Sequence, residues 1–310
     1  MILTLTPNPT IDRVFYCQDF ALDAVVRADR EAITPCGKGV NAAMALHEMG
    51  ESVLVLGLRA GHTGDHHTLL LDELGIRHDL LPAAGETRTN VVLVDQATSQ
   101  QSSISAPTLH ASPDHLEGLC GKIEQHAGTA WGLICGGSLP PGLPAASYCK
   151  LLERGRDQDL TTLLDSSGQA LRSGVKARPH LLKVNLKEYR DLEPSAPDEI
   201  RLLAERIEAR LGEWATEAII ITLGERGAVA ATSQGTFVAV PPKIQATNTA
   251  GAGDALGGGL MAARCRGGGW PEALVLGTAA GASVVMNEET GVCRRDQIEA
   301  LRPQVEIQRL

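Results

Sequence analysis

The segment with the clearest chemical content is Asn248 to Ala255, N-T-A-G-A-G-D-A, which runs from a loop straight into the helical spacing of Leu256 to Arg264. Glycines here let backbone N–H groups approach an anion, and the unpaired amides at the start of a helix make the same spot locally positive. Asp254, in the first turn, has an ordinary reading as a residue favoured by capping and the helix dipole. Beside a cradle of Gly251, Ala252 and Gly253 that can hold a phosphoryl group, its carboxylate can also receive a hydroxyl proton. Phosphoryl transfer needs those two parts together, because positioning and charge stabilisation do most of the catalytic work.

Two other segments point to the same place. Asn185 and Glu188 follow an apolar strand in K-V-N-L-K-E, and Thr222 to Gly227, T-L-G-E-R-G, follows the apolar run Ala218 to Ile221. Taken alone, the first is a solvated helix start and the second a strand-connecting turn. In open α/β sheets, however, ligands bind beyond the carboxyl ends of the strands, where both segments and the G-A-G-D loop would lie. That convergence favours a nucleotide site.

The elements that must position these residues are legible as an alternation of apolar β-rich runs and amphipathic stretches, the pattern of a parallel sheet covered by helices. Strands are expected at Ile2 to Thr6, Ser52 to Gly57, Trp131 to Cys135, Thr161 to Asp165, Leu181 to Val184 and Ala218 to Thr222. Helices are expected at Val40 to Met49, Thr68 to Leu74, Pro113 to His126, Ala145 to Arg154, Glu199 to Leu211, Asp254 to Arg264 and Pro271 to Met286. Ile11 to Thr34 and Thr87 to Ser105 break the alternation and read as a small separate β-layer over one edge of the main sheet. With no internal repeat and no low-complexity linker, residues 1–310 are expected to form one domain with a β-lid from about 11–34 and 87–106.

Composition excludes several classes of function. The 310 residues carry a net charge of −9 and only three each of Phe, Trp and Tyr, which argues against a nucleic-acid partner held by phosphate contacts or aromatic stacking. No window approaches the ~18 uninterrupted apolar residues of a membrane span, so no membrane partner is expected. Met1 to Thr10 lacks the pattern of a secretory signal. The seven cysteines are odd in number and scattered, without a C-x-x-C pair, which reads as reduced thiols and a cytoplasmic location.

G-A-G-D after a loop, together with G-K-G-V-N at Gly37 to Asn41, resembles the two signatures of the phosphofructokinase B family within the ribokinase-like sugar kinases. Further segments look like those of the family, in its order: T-L-T-P-N-P-T-I-D at Thr4 to Asp12, G-E-T-R-T-N at Gly85 to Asn90 and G-S-L-P-P-G-L-P at Gly137 to Pro144. L-D-S-S-G at Leu164 to Gly168, K-V-N-L-K-E at Lys183 to Glu188 and T-L-G-E-R-G complete the set, which spans residues 1 to about 290. The resemblance implies a three-layer α/β/α fold with a mostly parallel central sheet and a small β-sheet lid.

It also implies roles, residue by residue. Asp254 would be the base that takes the proton from the attacking sugar hydroxyl, with Gly251, Ala252 and Gly253 as the anion hole for the γ-phosphate of ATP. Asn185 and Glu188 would arrange Mg²⁺ and its waters, and one carboxylate suffices for an ion that keeps most of its water. Lys183, Thr222, Leu223, Gly224, Glu225, Arg226 and Gly227 would contact the nucleotide. Asp12, Gly37, Gly39 and Asn41 would hold the sugar, Asn41 being equally a helix cap. Arg88 would clamp a phosphate already on the substrate, a task its planar fork suits. Arg27 and Ser138 are weaker candidates for the same phosphate. ATP and Mg²⁺ are thus the implied cofactors, with a monovalent cation left open.

The acceptor implied is a phosphorylated ketohexose, fructose 1-phosphate first and fructose 6-phosphate or tagatose 6-phosphate next. A kinase of unphosphorylated sugars or nucleosides, and a non-catalytic sugar-phosphate sensor, are the alternatives. The exposed edges of a β-lid make a lid-to-lid homodimer the expected assembly. Cys36, Pro7 and Ser102 to His110 depart from the family pattern, and the last puts the sugar's identity in doubt rather than the reaction. His62, His66 and His67 beside Asp65 are discounted as a metal site, because G-H-T-G-D-H-H looks like a family loop. Ser138 lacks the G-x-S-x-G elbow of a hydrolase. Gly257, Gly258 and Gly259 in one helix each cost ~1 kcal/mol relative to Ala, and are expected to serve close helix-to-sheet packing.

Overall fold

The computed structural model describes residues 1–98 and 100–310; Ser99, within the expected lid stretch 87–106, lies outside the described residues. In chain order the strands are β1 (Ile2–Thr6), β2 (Thr10–Cys17), β3 (Arg30–Cys36), β4 (Val53–Arg59), β5 (His78–Pro82), β6 (Arg88–Asp95) and β7 (Gln100–Ser105). They continue as β8 (Gly132–Gly136), β9 (Thr161–Asp165), β10 (Leu181–Asn185), β11 (Ala218–Thr222), β12 (Ala228–Thr232), β13 (Gly235–Val240) and β14 (Glu306–Arg309). The helices are α1 (Lys38–Glu48), α2 (Gly61–Glu73), α3 (Pro113–Ala127), α4 (Ser147–Asp157), α5 (Gly168–Gly174), α6 (Leu186–Tyr189), α7 (Ile200–Trp214), α8 (Ala252–Cys265), α9 (Trp270–Val285) and α10 (Arg295–Leu301).

Among the described residues the large sheet runs β14-β13-β12-β11-β10-β9-β8-β1-β4-β5. It is parallel from β11 to β5 and antiparallel beyond β11. The six expected strands are β1, β4, β8, β9, β10 and β11. Alternation along these strands sorts side chains onto two cores. Ile2, Val53, Ile134, Leu163, Leu181 and Ile220 pack on the side of α1, α8 and α9. Leu3, Leu54, Leu133, Leu164, Leu182 and Ile219 pack on the side of α3, α4 and α7. Period two then fixes chemistry: Asp165, Lys183 and Thr222, each two residues from such a position, and Thr6, four from Ile2, face α1 and α8 at the carboxyl ends of their strands.

The smaller sheet runs β3-β2-β6-β7. Its centre is the parallel pair β2 and β6, in register Thr10 to Arg88 and Asp12 to Asn90, with antiparallel β3 and β7 outside. One face buries Val14, Tyr16 and Val92. Tyr16 reaches the main body there, its hydroxyl donating to the Glu288 carbonyl at 2.8 Å, and Arg30 pairs with the Glu288 carboxylate.

Three expectations need correction. Asn41 is not a helix cap: α1 begins at Lys38 with Gly37 as its cap, and Asn41 lies within the first turn. The G-H-T-G-D-H-H segment is the first two turns of α2, not a loop: Gly61 at φ 62 starts it, and the glycines that suggested a turn serve the helix entry. His67 is buried in it, His62 and His66 face outward, and Asp65 pairs with Arg59, so the four side chains do not converge. The triple glycine serves helices more than the sheet. A Cβ on Gly258 would lie 2.9 Å from the Ala42 carbonyl in α1, and one on Gly259 would lie 2.6 Å from the Gly277 Cα in α9. Only Gly257 faces the sheet, with Lys183 Cδ at 3.6 Å, an ordinary contact.

Candidate active site

Gly251 caps α8 with φ 87, a left-handed conformation that an L side chain adopts only under strain, and a Cβ there would lie 2.6 Å from the Gly291 Cα. The chain can therefore turn at Gly251, and the amides of Ala252, Gly253 and Asp254 open the helix without intrahelical partners. Gly253 leaves room for a cation, since a Cβ on it would lie 3.2 Å from Lys183 Nζ. Asp254 stands in this first turn, 9% exposed, and Asn41 Nδ2 donates to its Oδ2 at 2.7 Å. Asn41 belongs to the first turn of α1, so the two glycine-rich segments meet through one hydrogen bond.

Behind Asp254 lies a chain of alternating charges. Glu188 pairs with Lys38 at 2.6 Å, Lys38 with Asp165 at 2.7 Å, Asp165 with Lys183, and Lys183 stands 3.9 Å from Asp254. Burial raises the Asp254 carboxyl and the neighbouring Asp165 charge raises it further, while Lys183, Lys38 and Asn41 oppose; the result is about 6. Asp165 is buried equally, yet two lysines against it hold it below the usual carboxylate range. Lys38 is pushed up despite burial, by Asp165, Asp254 and Glu188. Two carboxylates whose environments drive them apart are a sign of divided roles, one fixed as an anion and one poised near neutrality to exchange a proton.

Lys38 and Asp165 were not singled out in the sequence, although both lie inside quoted segments, G-K-G-V-N and L-D-S-S-G. The signal was available: each is a charged residue at the end of a buried strand or the start of a buried helix, where an unpaired charge is costly. Asn8 was missed likewise. It is 5% exposed, donates to Ser138 Oγ at 3.0 Å and accepts from Thr108 Oγ1 at 2.6 Å, fixing Ser138 beside the β1 end.

Asn185 and Glu188 form a reciprocal cap on α6, each side chain accepting from the other's backbone N–H at 2.8 and 2.9 Å. The oxygens of Asn185 and Glu188 are of the hard kind Mg²⁺ takes, whereas both oxygens of Asp165 are already met by Lys38 and Lys183. Among the described residues no three His, Cys, Asp or Glu side chains converge on one point, which fits an ion held by one or two carboxylates together with phosphate oxygens. Thr222 ends β11, Leu223 is 9% exposed, and Gly224 to Arg226 make a tight turn closed by Gly227 N donating to the Gly224 carbonyl at 3.0 Å. Glu225 and Arg226 face solvent on that turn, and Arg226 reaches the Asp198 carbonyl instead of the site.

The smaller sheet supplies the opposite wall. Asp12 is 7% exposed, accepts from Asn90 Nδ2 at 2.9 Å and is raised by burial against the pull of Asn90, Thr290, Cys36 and Arg88. Burial lowers the Arg88 guanidinium, and Asp12 compensates it only in part. Several buried polar atoms here have no partner within the described residues: Arg88 Nε, Asn90 Oδ1, Asn41 Oδ1, Thr34 Oγ1 and Thr6 Oγ1. A bound molecule bearing hydroxyls and an anion would satisfy such a set. Gly37 and Gly39 bring the α1 backbone against Thr6, with a Cβ on Gly39 falling 2.4 Å from Thr6 Oγ1. Like Glu225 and Arg226, Arg27 stays apart, exposed on the connection between β2 and β3.

The sequence pattern described as pfkB family carbohydrate kinase matches residues 6–297. The chain is 30% identical over 310 residues to the 1-phosphofructokinase of Escherichia coli strain K12, covering 99% of this chain and 98% of that protein. The crystal structure of phosphofructokinase-2 from Escherichia coli in complex with substrates and products superposes with a TM-score of 0.90 at 26% identity, over 98% of each chain. Structures of that protein in complex with potassium and in a tetrameric inhibited form superpose at 0.88.

Proposed function

The chain belongs to the pfkB family of carbohydrate kinases, and from that premise we propose that it transfers the γ-phosphoryl group of ATP to a hydroxyl of fructose 1-phosphate. The observation that carries the reading is the buried Asp254, held by Asn41 beside the opening amides of α8, its carboxyl raised by burial to about 6. In this proposal Asp254 takes the acceptor hydroxyl's proton, and the amides of Ala252 and Gly253, with Lys183 behind them, receive the charge that develops on the transferred phosphoryl group. Glu188 and Asn185 would hold Mg²⁺ through its waters, and the ion would neutralise phosphate charge when bound. Thr222 to Gly227 pass over the nucleotide. Asp12, Asn41, Gly37 and Gly39 hold the sugar, and Arg88, under-compensated in its wall, holds the phosphate already on it. Ser138, fixed by Asn8, serves the same end. The potassium complex of the Escherichia coli relative supports a monovalent cation as a further ion.

Assay of ADP release with Mg²⁺ and ATP across fructose 1-phosphate, fructose 6-phosphate, tagatose 6-phosphate, fructose and a nucleoside tests the reading. The highest kcat/KM is expected with fructose 1-phosphate. Equal rates with fructose would remove the phosphate clamp, and no turnover across the panel would make the protein a sensor.

The smaller sheet acts in this proposal as a lid and as a dimer face. The face away from the main body carries Ile33, Phe15, Val91 and Leu93, half-buried, and Ile104, 63% exposed, apolar side chains grouped around the Arg13–Glu31 ion pair, a mixed surface that suits an interface. Light scattering is expected to give a dimer for the wild type and a monomer for Phe15→Asp; a dimeric variant would place the interface elsewhere.

A further inference from the structure

The loop that carries Arg88 is fastened to the main body by side chains that the active site itself does not use. Glu86 sits on the amino end of α2, where His62 N and Thr63 N donate to its carboxylate at 3.3 and 3.0 Å. Gly61 makes the approach feasible, since a Cβ on it would lie 2.1 Å from the carboxyl carbon. The amide of Thr63, first among the nearby donors, holds the Glu86 carboxyl below its ordinary range, so the group is anionic at neutral pH. The next residue is zipped to the same place. Thr87, 1% exposed, donates its N–H to the Ala60 carbonyl at 2.9 Å and accepts from Ala60 N at 3.0 Å through Oγ1. Ala60 directly follows β4 of the large sheet. Arg88 is thus the first residue past a two-residue clip, and it enters β6 opposite Thr10, two positions from Asp12.

A guanidinium on a flexible stem binds a phosphate well only when its mount is fixed, because misplacement by an ångström is enough to lose most of the orientation. The mount here is not the smaller sheet, to which Arg88 formally belongs, but the end of β4 and the start of α2. We propose that Glu86 is a positioning residue for the phosphate end of the acceptor site: seated on α2, it keeps Arg88 in register with the large sheet. The proposal rests on the reading of Arg88 as the phosphate clamp, and the experiment separates the two.

Steady-state kinetics with fructose 1-phosphate are measured for wild type, Glu86→Ala, Glu86→Gln, Arg88→Ala and the double variant, with KM for ATP and the melting temperature recorded for each. Glu86→Ala is expected to raise the sugar-phosphate KM on the order of tenfold with kcat and the ATP KM unchanged. Glu86→Gln, which keeps one acceptor oxygen for the α2 amides, is expected to recover part of that loss. In the Arg88→Ala background, Glu86→Ala is expected to add nothing, since the two act as one unit. An unchanged KM in Glu86→Ala, a full additive penalty in the double variant, or parallel loss of kcat and affinity for both substrates overturns the positioning role. An unchanged KM in Arg88→Ala overturns the clamp reading itself, and with it the role given to Glu86.

Discussion

Asp254→Asn is expected to lower kcat by roughly 10²–10⁴-fold while nucleotide and sugar phosphate still bind. The amide keeps the shape and can keep the hydrogen bond to Asn41 by rotation, but it cannot accept a proton. The loss should therefore appear in kcat and not in KM, measured by coupled ADP assay alongside equilibrium binding of each ligand. The same carboxylate sets a pH limb. Burial raises it to about 6, and the active form of a base is the deprotonated one, so kcat/KM of the wild type should be flat above that value and fall about tenfold per pH unit below it. A variant that retains turnover, or a wild type without an acid limb, would assign the proton to another group.

The second large effect concerns stability. Lys183→Met removes the cation between Asp165 and Asp254, two carboxylates buried almost completely. Breaking such a pair from one side costs about 3–5 kcal/mol, because a buried charge is left without its partner. Lys38 remains against Asp165 and limits the damage there, but Asp254 keeps only the Asn41 hydrogen bond and the more distant charge of Lys38. The carboxylate then relieves itself by holding its proton more tightly. Urea unfolding should report the lost stability, and the acid limb of kcat/KM should move above about 6 in the same variant. Unfolding at the wild-type midpoint with an unmoved limb would mean that the ion chain carries neither stability nor proton affinity.

Much of this was legible because several of β1, β4, β8, β9, β10 and β11 are nearly continuous apolar runs, as strands buried on both faces are, and they alternate with amphipathic stretches. The antiparallel extension was not. β12 is A-V-A-A-T, and alanine carries little strand preference, so its place comes from pairing with β11 and not from its own residues. The four-residue α6 is too short to show a period and exists through the Asn185–Glu188 cap. Motifs located Asp254, Asn41, Lys183, Asp12 and Arg88, whose side chains the fold brings to one mouth. They did not disclose that Lys38 and Asp165 join the two halves, since an ion pair separated by 127 residues leaves no local trace. Arg27 shows the converse: its residue type suits a phosphate, but nothing in its own chain carries it there.

The near-contact of Gly251 and Gly291 has a consequence for changing what this protein accepts. A Cβ on Gly291 would lie 2.9 Å from both Asn41 Oδ1 and Met44 Cε, and one on Gly251 would meet Gly291, so neither position has space for a side chain. No substitution there could favour one acceptor over another without first displacing Asn41, the hydrogen-bond partner of Asp254. Any library aimed at a new acceptor should therefore leave residues 251 and 291 untouched and vary positions around Asp12 and Asn90, where the proposed sugar contacts lie.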